Sequence, residues 1–181
     1  LTQFITRTVT TTIAPKPRGS SGAGGSGGGI ASPDVGHSSH DPVAQSFMLD
    51  EDRFLTAIRI KFAAFGDKSK PALLELVRTE HGFPTGESIA QGRADLSAAT
   101  AGAWVTINFT VPVYVKGGIE YAFIVRTPDD NHALATAAIG GFDPVAQQFV
   151  GAQPYSVGML LSSATATAWT AHQKEDLAFE I

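Results

Sequence analysis

Cysteine is absent from the 181 residues, which excludes a disulfide framework, a zinc ribbon and a thiolate nucleophile while leaving the compartment open. Basic clusters are missing too. The densest is Lys68-Ser69-Lys70, and 17 acidic against 13 basic residues give a net charge of -4, which argues against non-specific duplex binding. No window approaches the roughly 18 apolar residues of a membrane-spanning helix, because Arg, Lys, Asp or Gly interrupts each run. Sustained 3.6-residue periodicity is lacking as well; Asp95 to Ala103 has room for one helical turn at most. The chain has neither a signal peptide nor an initiator Met at Leu1 and stops within the strand-like Phe179-Glu180-Ile181, so it reads as a piece of a longer polypeptide.

What is present is β-structure. Ile58, Ile60 and Phe62 alternate with Arg59 and Lys61, and Val105, Ile107, Phe109 and Val111 alternate with Thr106, Asn108 and Thr110, the pattern of strands that bury one face and wet the other. Nine strands are expected: 43–49, 54–65, 72–78, 88–95, 104–115, 119–126, 133–139, 155–161 and 177–181. The fold class is all-β, a two-sheet antiparallel β-sandwich of jelly-roll type. Lys116-Gly117-Gly118-Ile119 predicts a tight hairpin pairing 104–115 with 119–126, since Gly-Gly supplies the positive φ of primed turns. Ile119, Tyr121, Phe123 and Val125, with Leu177, Phe179 and Ile181, are the expected core.

Organisation changes toward the N-terminus. Residues 4–13 are β-branched almost throughout, five of the ten being Thr, which predicts an extended strand at a sheet edge or against another chain. Residues 15–40 are rich in Gly, Ser and Pro and read as a flexible linker or long loop. Three segments follow: 1–14 as an extended strand linked to a preceding domain, 15–40 as linker, and 41–181 as the sandwich domain, with the boundary near residue 41. Asp41-Pro-Val-Ala-Gln-Ser-Phe47 recurs as Asp143-Pro-Val-Ala-Gln-Gln-Phe149, but the flanks differ and Asp-Pro is common turn chemistry.

Motifs that carry chemistry are few. The Gly run matches G-x-G-x-x-G and G-x-S-x-G formally at 22–28, without the strand before and helix after that either needs. His37, His40 and Asp41 are spaced to offer two nitrogens and an oxygen to a divalent metal, yet ordering a Gly-rich loop opposes chelation. Asp50-Glu51-Asp52 and Asp129-Asp130 offer oxygen ligands for calcium and read as solvated turns. No Ser/His/Asp order and no carboxylate pair stands out, so neither a catalytic residue, a metal site nor a cofactor is assigned. Flat side chains on which sugar rings stack are the remaining clue, and Phe83, Trp104, Tyr114 and Trp169 are the glycan-contact candidates.

Taken in order, Asp41-Pro-Val-Ala-Gln-Ser-Phe47, Ile58-Arg-Ile-Lys-Phe62, Gly82-Phe-Pro-Thr-Gly86, the stretch from Pro112 to Val125, Gln153 to Ser163 and Trp169 to Phe179 resemble a β-sandwich domain of large bacteriophage tail proteins. The resemblance covers residues 41–181. It implies a non-enzymatic structural module of a tail fibre or baseplate, located in the virion and contacting other tail proteins and copies of itself, a trimer among the options. It brings no nucleic acid or membrane insertion and no catalytic residues. The same order of pieces is also similar to carbohydrate-binding-like domains of bacterial surface proteins, which implies host-surface glycans as a second partner class.

Overall fold

A computed structural model describes residues 42–129, 131–143, 147–152 and 155–181. The expected N-terminal strand, the linker, the domain boundary near residue 41, the His37/His40/Asp41 trio and Asp130 lie outside the described residues. Fourteen strands occur in chain order among the described residues: β1 (Val43–Met48), β2 (Arg53–Ala64), β3 (Ala72–Glu80), β4 (Phe83–Ala94), β5 (Trp104–Val115), β6 (Glu120–Arg126), β7 (Ala133–Leu134), β8 (Thr136–Ala138), β9 (Phe142–Asp143), β10 (Gln148–Phe149), β11 (Leu160–Ser162), β12 (Thr170–His172), β13 (Glu175–Leu177) and β14 (Phe179–Glu180). There is no helix among the described residues. Asp95 instead turns the chain locally, its carboxylate accepting from Ser97 N at 2.9 Å and Ser97 Oγ at 3.0 Å, a side-chain turn that competes with helix.

The fold is all-β and antiparallel, as the alternation predicts. One sheet runs in the order β12-β11-β1-β6-β3-β4-β5-β2-β14, β7 pairs with β2, and β10-β9 and β13-β8 form small ribbons. The sheet curls back on itself. Phe179 on β14, at one end of that order, meets Phe123 on the central β6 at 5.2 Å between ring centroids, and Phe47 lies 6.1 Å from Phe123 on the other side. Ile58, Ile60, Phe62, Leu74, Leu76, Ile107, Tyr121, Phe123 and Val125 fill the enclosed core. The curl bends where β4 and β5 share only Gly92↔Phe109 and Arg93↔Asn108. A Cβ on Gly92 would sit 2.8 Å from the Asn108 carbonyl oxygen and 2.9 Å from Ile107 Cγ2, so the corner requires glycine.

Three expectations are corrected. First, β5 and β6 do not pair: β5 runs between β2 and β4, whereas β6 runs between β1 and β3. Gly117 and Gly118 therefore form an arch that carries the chain across the core, held by Gly118 N donating to Leu49 O at 2.8 Å. The tight hairpin lies between β3 and β4, where Glu80 faces Phe83 and His81 (φ 53°) and Gly82 (φ 83°) both take positive φ, the geometry of a primed two-residue turn. Second, Val111 is 64% exposed. Ladder pairs jump from Leu55↔Val113 to Ala57↔Asn108, so β5 bulges over residues 109–112 and Val111 is turned outward before the odd-numbered residues return to the buried face at Val113. Third, Ile119 is exposed, because the arch and not β6 claims it, while Tyr121, Phe123 and Val125 are buried as expected.

A second, smaller cluster covers the opposite face of the centre. Ala44, Val77, Ala122, Ile124 and Leu161 pack there beneath Met159, Trp169 and Ala171. Strands β1 and β6 are consequently buried on both faces.

Candidate functional site

The four aromatic candidates do not converge. Phe83 opens β4 just past the His81-Gly82 turn and is 41% exposed. Trp104 begins β5, half-buried, with the Arg59 guanidinium 5.5 Å from its ring centroid; Arg59 also pairs with Glu180. Tyr114 lies toward the other end of the same strand, and the ladder partners of the two residues, Lys61 and Phe54, are seven residues apart on β2, roughly 20 Å at about 3.3 Å per residue. Trp169 is half-buried and packs against the smaller cluster, where an indole covers apolar surface. Of these, Tyr114 sits in the most developed surroundings.

Tyr114 faces Phe54 directly across the β2–β5 ladder. Their rings lie 5.5 Å apart at 58°, within the range of favourable tilted pairs, yet Phe54 is 69% and Tyr114 51% exposed. Phe54 is a residue that sequence reasoning placed at a strand start and did not single out; its register opposite Tyr114 is a long-range fact. The Tyr114 hydroxyl donates to Asp52 Oδ2, and Asp52 Oδ1 accepts from Gly117 N at 2.9 Å. Those two bonds, the hydroxyl first, hold the Asp52 carboxyl below the usual carboxylate range, with Lys116 adding a smaller attraction. The same bond to Asp52 raises the Tyr114 phenol above its usual value. Asp52 thus belongs to an acidic run read from sequence as solvated turn residues, and its structural work is to fix the orientation of an exposed ring.

Other polar clusters tie the fold. Gln45, fully buried on β1, donates from Nε2 to Asp176 Oδ1 at 3.1 Å and accepts at Oε1 from Leu177 N at 2.8 Å. Asp176 also accepts from Tyr155 N at 3.1 Å. This network fastens the 175–181 segment across the core. Ser162 Oγ and His172 Nε2 lie 2.7 Å apart between β11 and β12, a contact that no local motif announces because the partners come from different strands. Ser162 is only 9% exposed, and the contact ties β11 to β12. Asp129 accepts from Asn131 N at 2.8 Å, and that bond leads the causes holding its carboxyl below the usual range. His132 Nδ1 accepts from Gly66 N at 3.2 Å, which places the ring proton on Nε2. Among the described residues that buried Nε2 has no hydrogen-bond partner, and the ring is packed by Phe62 and Phe65.

Among the described residues no group of three or more His, Cys, Asp or Glu side chains is arranged to hold a metal ion. A groove of about 320 Å³ opens where β4 and β5 part, lined by Ser88, Ile89, Ala90, Gln91, Thr110 and Val111. No protein-family model and no curated protein matches this chain.

Proposed function

We propose that this chain is a non-enzymatic structural and interaction module of a bacteriophage tail, placed in the virion as part of a fibre or baseplate and contacting other tail proteins and copies of itself. The observation that supports this reading most is the curled antiparallel sheet, whose 12-residue strands β2 and β5 are locked by a continuous apolar core while apolar side chains remain on the outside. Phe83, Val111 and Phe149 are all exposed. A scaffold of this kind transmits load through ladders of backbone hydrogen bonds and offers apolar contacts to neighbours. The order of short motifs along 41–181 supplies the tail context.

The test is assembly. Light scattering on the purified chain across a hundredfold concentration range should report a discrete symmetric oligomer or growth toward one, and electron microscopy of that species should show copies related by rotation. A monomer at every concentration, with turnover of a polysaccharide substrate, overturns the reading. Contact with surface glycans is the second reading, favoured by the exposed Phe54–Tyr114 pair.

A further inference from the structure

We infer that Phe54, Tyr114 and Asp52 form a binding platform for a neutral pyranose ring, the two aromatic faces taking the C–H side of the sugar and the Asp52 carboxylate accepting from its hydroxyls. This inference rests on the glycan-contact reading and selects one site for it.

Size argues for a sugar over a protein. Aromatic side chains carry about 150–250 Å² each, so rings exposed by 69% and 51% offer on the order of 200–300 Å², far below the roughly 800 Å² that each partner buries in a stable protein interface. One or two sugar rings match that area. Orientation argues the same way: an exposed Tyr ordinarily samples several rotamers, whereas the bond to Asp52, itself anchored on Gly117 N at 2.9 Å, holds the Tyr114 ring in place before any ligand arrives. Preorganisation of this sort lowers the entropy lost on binding. Charge selects among sugars. Asp50, Glu51 and Asp52 outnumber Arg53, which immediately precedes Phe54 and pairs with Glu51 at 3.0 Å, and Lys116, which acts on Asp52, so the rim stays net negative toward uronic and sialic acids, while a neutral sugar whose hydroxyls donate meets carboxylate acceptors. The rings are tilted by 58°, so a sugar stacked flat on one meets the other obliquely.

The test uses the full chain and isothermal titration with cellohexaose, maltohexaose and chitohexaose as neutral probes, trigalacturonic acid as the acidic comparison, and a mixed glycan array. Saturable binding to at least one neutral glycan is expected, weakened about tenfold or more in Phe54→Ala and in Tyr114→Ala, with unchanged melting temperature because both side chains lie outside the core. Asp52→Asn should weaken binding less than either. Neutral-glycan binding that survives both aromatic substitutions but disappears in Trp104→Ala, Phe83→Ala or Trp169→Ala overturns this site while leaving the glycan reading intact. Silence across the whole array overturns both. Preference for the acidic probe, or concentration-dependent dimerisation abolished by Phe54→Ala, overturns the assignment of the platform to a neutral sugar.

Discussion

Strands β1 and β6 and strands β2 and β5 are both antiparallel ladders, but the first pair is buried on two faces and the second on one. In β5 the outward residues Thr106, Asn108 and Tyr114 are exposed while Val105, Ile107, Val113 and Val115 are buried. In β6 every residue from Tyr121 to Val125 is buried, because the smaller cluster under Trp169 closes the outer face. The centre of the molecule therefore carries stability, and the β2–β5 flank is left free to carry contacts. Exposed aromatics on the flank cost little to change and are available to a ligand; aromatics in the centre are neither.

The largest effect that sharpens this contrast comes from one chemical change made in both places. Phe123 is fully buried between Phe47 and Phe179, so Phe123→Ala should destabilise by about 3–5 kcal/mol through lost burial and a residual cavity. Phe54→Ala on the flank should stay within about 0.5 kcal/mol. Urea unfolding of the two variants beside the wild type gives both numbers; equal losses would erase the distinction between the regions.

Next in size is the polar seam that holds the curl. Replacing Gln45 by Met keeps the length of the side chain but leaves Leu177 N without its acceptor and Asp176 Oδ1 without the amide donor. Leaving the buried Leu177 N–H without its acceptor costs about 1–3 kcal/mol. Backbone amide exchange should rise first in 175–181, which Gln45 fastens, and only later in β2 and β5. Uniform acceleration over the whole sheet would mean that the closing segment does not open separately from the rest.

How far these regions were legible from the chain follows from their burial. Where one face is wet, as in β5, alternation marks the strand from Val105 to Phe109 and fails only at the bulge around Val111, and the observed bounds, Trp104–Val115, are those expected from sequence. The central strands show no alternation, yet 43–49 and 119–126 stood out as short apolar runs, close to the observed Val43–Met48 and Glu120–Arg126. Partner choice was not legible. Gly117-Gly118 has the composition of a hairpin and serves as an arch, whereas the hairpin uses His81 at positive φ, a residue type that carries no turn signal of its own. The expected strand at 133–139 is split into β7 and β8, and most of 155–161 is irregular, leaving β11 at Leu160–Ser162; short apolar residues in those stretches fit strand or loop equally. Tyr114 was visible as an aromatic on the outward parity, but Phe54 and Asp52 join it only through the β2–β5 register and the fold of the arch, both of which are long-range.

The smallest effect separates two tyrosines whose phenols are both raised for different reasons. Tyr155 is half-buried, and desolvation is the main cause, opposed by its hydroxyl bond to Met48 O at 3.0 Å; Tyr114 is exposed, and its bond to Asp52 is the main cause. A raised phenol keeps its proton to higher pH, so the Tyr114 to Asp52 bond persists up to and above the ordinary pH 10 of a phenol and is lost as Tyr114 ionises. The same bond fades on the acid side as Asp52, whose carboxyl is depressed, takes up a proton below its ordinary value of 3.8. Carbon-13 shifts of the tyrosine Cζ atoms, followed through an alkaline titration, read each ring separately. In Asp52→Asn the Tyr114 midpoint should fall back toward 10, because the charged acceptor is gone, while Tyr155 stays where it was. A joint fall of both midpoints would show that the substitution loosens the fold instead of releasing one exposed ring, and the flank would then be coupled to the centre more tightly than the burial pattern implies.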